Sequence, residues 1–131
     1  MKKQAPDKSR AASLRKETKK TEESLKEIVE SVGITQNNPS TIVKIVYDII
    51  METIRASMLE QGYSSAGRGA HEAEVAFMRD LGFSENHVQF CDQLRYFRNG
   101  IMYYGKTCDG EYARKVIEFL ERFKRNLTKA R

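Results

Sequence analysis

Tryptophan is absent from this chain, cysteine and proline occur twice each, and no long apolar run is present. With proline only at positions 6 and 39, nothing after Pro39 bars a helix through a locked φ or a missing amide. Cys91 and Cys108 stand alone, outside any Cys-x-x-Cys or Cys/His cluster, so both read as reduced thiols and no metal site is expected. No stretch approaches the roughly 18 apolar residues that a membrane span requires. Met1-Lys2-Lys3 could open a signal peptide, but the charged residues behind it provide no apolar segment, so a cytoplasmic protein without membrane association is expected. Gly62 to Gly69 is rich in glycine yet lacks the Gly-Lys-Ser/Thr ending of a phosphate loop, and no cofactor motif occurs elsewhere. Glu72 and Glu74, two apart, point to different sides of a helix and make a poor acid/base pair.

The 131 residues are 40% hydrophobic and 31% charged, too apolar for a disordered chain and suited to one soluble domain. The net charge of +5 is unevenly spread. Residues 1–20 carry eight Lys/Arg against Asp7 and Glu17, a net +6; residues 21–121 carry a net −6; the last ten residues restore +5. The chain therefore reads as a basic arm over residues 1–20, partly disordered or helical, preceding a helical domain over 21–131. A basic arm can attract phosphates without regard to sequence.

Apolar spacing gives the elements. Residues 1 to about 12 read as frayed, with helix free to start anywhere from Asp7. Leu25, Ile28, Val29 and Val32 share a helical face that Gly33 ends. Asn38-Pro39 is a start signal, the Asn capping free amides and the Pro taking the first helical position, for a helix reaching about Gln61. Its apolar residues, from Ile42 to Ile54, spread over more than half the circumference, as a central helix with several neighbours requires. After the glycine-rich loop, Ala70, Ala73, Phe77 and Leu81 form the face of a shorter helix closed by Gly82. Ser84 caps a helix from Glu85 to about Tyr104 with Val88, Cys91, Leu94 and Ile101 inward. Asp109 caps a last helix striped by Ala113, Val116, Ile117, Leu120, Phe123 and Leu127. The expected fold is all-α, an up-and-down bundle of four to five helices.

Arg98 shares the inward face of Leu94 and Ile101. An arginine there must be paired (with Asp92, Glu52 or Asp48), lie at an interface, or line a groove for a phosphate or other ligand. The run Leu94-Arg95-Tyr96-Phe97-Arg98-Asn99-Gly100-Ile101-Met102-Tyr103-Tyr104 resembles the signature helix of the HEPN superfamily, small helical bundles whose pattern is Arg, often Asn, then His after four to six residues. The long apolar helix, the glycine-containing loop, the His71-led segment and the closing helix extend the resemblance over about residues 39–127. Where the family has its histidine this chain has Tyr103. A tyrosine with a pKa near 10 stays protonated at pH 7 and makes a poor general base, whereas imidazole serves as one. The resemblance thus implies a degenerate member in which Arg98, Asn99, Tyr103 and Tyr104 contact a ligand, and in which members' two-fold dimerisation carries over.

Three functions follow as expectations. The first is a dimeric RNA- or nucleotide-binding or protein-interaction module with weak or no catalysis, its partners including RNA, a nucleotide, a nucleotidyltransferase or another protein. The second is a metal-independent endoribonuclease of toxin-antitoxin type using Arg98 with His71 or Tyr103. The third is a helical scaffold with no nucleic-acid role. His71 otherwise reads as a hydrogen-bonded structural residue, and His87 as an exposed residue of a first helical turn.

Overall fold

Residues 2–64, 67 and 69–130 are described by the computed structural model, the side chains at 2, 64, 103 and 128–130 excepted. Five helices follow one another: α1 (Lys8–Ser31), α2 (Pro39–Gln61), α3 (Ala70–Asp80), α4 (Glu85–Tyr104) and α5 (Gly110–Ala130). The architecture is the all-α, up-and-down bundle. A two-residue antiparallel ladder, β1 (Lys2–Lys3) on β2 (Tyr63–Ser64), is its one extended pairing among the described residues.

α1 begins at Lys8 because the Asp7 carboxylate accepts from the Arg10 amide at 3.0 Å. It then runs unbroken past residue 20, so the expected boundary between arm and domain falls inside one helix. Ala11 is fully buried against Ala56 and Leu59 of α2, and Thr18 is buried beside Glu52. Two small alanines let the helix backbones approach closely, which is why an apparently featureless segment docks. Leu25 is buried and Val29 packs against the core, but Val32, expected on the same stripe, caps the helix and is exposed.

α2 is the central helix that its broad apolar surface predicts, with Ile42, Val46, Ile50, Ile54 and Met58 fully buried and all four other helices packed on it. Asn38 does not cap it with its side chain. Instead its side-chain oxygen accepts from the Thr35 amide at 2.8 Å and its amide donates to the Gly33 carbonyl at 2.9 Å, bracing the preceding turn. Pro39 still occupies the first turn, where its missing amide costs nothing. At the other end Gly62 adopts φ +82°, and Gln4 donates to its carbonyl at 2.7 Å while Asp7 donates to that of Leu59 at 2.9 Å. The amino-terminal segment thereby satisfies carbonyls that the end of α2 would otherwise leave without donors.

Ser84 and Asp109 cap α4 and the start of α5 as expected, accepting from the amides of His87 and Tyr112. The α4 and α5 helices meet through aromatic rings: Phe90 on Phe119 at 4.2 Å between centroids and Phe97 on Tyr112 at 4.6 Å, with Phe83, just before α4, stacked on Phe123 at 5.1 Å. The face of α3 is broader than expected. Phe77 is buried and Ala73 and Leu81 pack against the core as read, but the buried companions of Phe77 are Glu74, Val75 and Met78, and Ala70 is only partly buried.

Candidate functional site

Arg98 projects from α4 towards α2. Its guanidinium carbon lies 5.3 Å from the centre of the Tyr47 ring, and its Nη2 is 3.7 Å from the Asp48 carboxylate. That distance is an ion pair across a gap, not a hydrogen bond. The side chain is 25% exposed and Asp48 is 47% exposed, so the pair is half in water. The Arg98 Nε is buried without a hydrogen-bond partner. Of the three carboxylates that sequence spacing allowed, Asp48 is the one that faces it; Asp92 and Glu52 are engaged by His71 and Thr18.

Around Tyr47 the charges form a cluster. Glu74 of α3 is almost fully enclosed (3% exposed) and accepts from Arg55 of α2 at 2.5 Å. Burial raises the Tyr47 hydroxyl pKa first, the Glu74 charge adds to this, and Arg95, Arg55 and Arg98 act against it. Of these cations Arg98 is the one in contact with the ring. Arg55 is committed to Glu74, while Arg98 retains unspent donors.

The remaining expected residues fall in different places. Asn99, next to Arg98, is half-buried, and one residue along a helix turns it about 100° away. Tyr104 is 79% exposed at the end of α4. The side chain of Tyr103 lies outside the described residues. Gly100 is covered by Lys106, whose ammonium reaches the Tyr96 hydroxyl at 3.3 Å and lies over its ring. His71 is held by Asp92, with its Nε2 2.6 Å from that carboxylate, and no hydrogen bond or ion pair joins it to Arg98 among the described residues. The other ring nitrogen of His71, Nδ1, is buried without a hydrogen-bond partner. His87, expected to be exposed, is half-buried: Asn126 donates to its Nε2 at 3.0 Å, which leaves the Nδ1 hydrogen for Ser84 at 2.7 Å. Burial lowers its pKa, and the nearby Arg122 charge lowers it further.

The thiols offer no nucleophile. Burial pushes Cys91 up to about 12, and Cys108, half-buried beside Ser40, is also raised, chiefly by burial. No group of three or more His, Cys, Asp or Glu able to hold a metal occurs among the described residues. None of their helices is long and apolar enough to cross a membrane.

No protein-family model, curated protein or solved structure matches the chain. Any functional reading therefore rests on the geometry just described. Tyr47, Arg55, Glu74 and Arg95 are absent from the expected set. Tyr47 reads as one more apolar position of α2, and Glu74 as an exposed charge, until α3 and α4 are docked beside them.

Proposed function

We propose that this protein is a HEPN-like, non-catalytic binding module, dimeric, that receives the phosphate of a nucleotide or of single-stranded RNA at Arg98. The observation that supports this reading is the state of the Arg98 guanidinium: over the Tyr47 ring, 3.7 Å from the Asp48 carboxylate without hydrogen-bonding it, and partly exposed. A planar fork in that state suits a phosphate oxygen pair better than a point charge would. Catalysis is not expected, since no hydrogen bond or ion pair joins His71 to Arg98 among the described residues and Tyr103 is a weak base at neutral pH.

Calorimetric titration with AMP and with a short single-stranded RNA tests the proposal. Binding that weakens at least tenfold in Arg98→Ala, and partially in Arg98→Lys, is the expected result. Absence of binding by the wild type would defeat it. So would cleavage of RNA by the wild type without metal, lost in Arg98→Ala, which would instead make the protein a ribonuclease.

A further inference from the structure

Asp48 of α2 and Arg98 of α4 face each other without a hydrogen bond, the arginine Nη2 lying 3.7 Å from the carboxylate oxygen. Asp48 enters no hydrogen bond and no other ion pair among the described residues. Its side chain is short and stands on the central helix directly after Tyr47, whose ring centre lies 5.3 Å from the guanidinium carbon. An aspartate so placed can turn but cannot withdraw. An anion that meets this guanidinium therefore meets a carboxylate as well.

We infer that Asp48 sets the charge of the phosphate that Arg98 receives, biasing the site towards the monoanion of a phosphodiester and against the dianion of a phosphomonoester. The inference rests on the reading of Arg98 as a phosphate-binding residue. A phosphodiester carries one negative charge, whereas a phosphomonoester, with a second pKa of about 6, carries close to two at pH 8. The guanidinium attracts the second charge and the carboxylate beside it repels that charge from nearly the same distance.

The neighbouring charges leave this effect to Asp48. Glu74, the other acid near Tyr47, is enclosed and held by Arg55 at 2.5 Å. Lys44 and Arg95, each about one helical turn from the pair, make no ion pair with Asp48 among the described residues. Their field is common to the wild type and to Asp48→Asn, so comparing the two isolates the carboxylate. One unit of ligand charge about 4 Å from a carboxylate in water changes binding about fivefold. Removing the carboxylate should therefore strengthen a monoanion about fivefold and a dianion about 25-fold at low salt.

Calorimetry on the full chain at pH 8 and low salt, with AMP and its 5′-O-methyl ester, tests the inference. The two ligands differ by one methyl group and one charge. The ratio of the AMP to the ester dissociation constant should be about fivefold higher for the wild type than for Asp48→Asn. Glu23→Gln, which removes an exposed carboxylate beside the groove between α1 and α5, should leave the ratio as in the wild type, and circular-dichroism melts should show both variants folded. The dinucleotide ApA and cyclic AMP, both monoanionic diesters, distinguish a nucleotide chain from a cyclic nucleotide as the source of the phosphate, the tighter of the two identifying it. An unchanged ratio in Asp48→Asn overturns the inference, and so does weaker binding of either ligand by that variant, which would make Asp48 an acceptor for a ligand hydroxyl. Both results leave Arg98 in place as long as Arg98→Ala abolishes binding. Absence of binding by the wild type, or binding indifferent to Arg98→Ala, removes the reading of Arg98 and this inference with it.

Discussion

Two charged residues illustrate how little a side chain's type says about its role before its neighbours are known. Arg98 sits on an apolar face of α4, and spacing alone allowed a buried ion pair whose loss would cost about 3 to 5 kcal/mol. The observed pair with Asp48 is long and half in water, so Arg98→Ala should lower stability by only about 0 to 1 kcal/mol in urea unfolding. Glu74 is the opposite case, an acid on a short helix whose enclosure no periodicity announces. Glu74→Ala should cost about 1 to 3 kcal/mol by the same measurement, less than a fully buried pair because Arg55, 43% exposed, can turn back to water. His87 supplies a pH dependence. Its folded pKa lies below the ordinary 6.5, because burial and then the Arg122 charge favour the neutral ring. As pH falls below about 6.5 the unfolded chain takes up a proton that the folded chain resists, so stability declines until the lower folded pKa is passed. Melting followed from pH 7.5 to 5 should show this decline, and His87→Gln should flatten it.

At the scale of elements, α1 and its lead-in depart most from what their composition suggests. A stretch of Lys, Ser, Ala and Gln lacks an apolar stripe, yet Ala11 and Thr18 are buried and Asp7 caps the helix. Small side chains register weakly in a hydrophobic pattern but permit close helix packing, so the packing is visible only with α2 in place. Deleting residues 1–20 should therefore lower the melting temperature markedly, where a loose arm would leave it unchanged. The strap over the end of α2 depends on Gly62. A Cβ there would lie 2.5 Å from the Gln4 carbonyl oxygen, and φ of +82° is itself unfavourable for alanine. Gly62→Ala should cost about 2 kcal/mol or more and expose residues 2–7 to limited proteolysis. The broadly apolar α2, the regularly striped α5 and the caps at Ser84 and Asp109 were legible from the sequence because each rests on residues close in sequence.

For the whole molecule, the proposed dimer has individually exposed large side chains on α4 to draw on. Tyr96, Met102 and Tyr104 of α4 are open to solvent, and light scattering should give twice the monomer mass for the wild type and the monomer mass for Tyr96→Glu/Met102→Glu. The all-α class, the boundaries of α2 to α5 to within a few residues and the central place of α2 were determined by the sequence itself, since capping residues and apolar period act over a turn or two of chain; the start of α1 was not. Which carboxylate meets Arg98, the enclosure of Glu74, the separation of His71 from Arg98, and the ion pair between Lys124 and Glu22 were decided by tertiary packing. Each depends on how far one helix is rotated about its axis against another, and that rotation is set by the sum of many side-chain contacts distant in sequence.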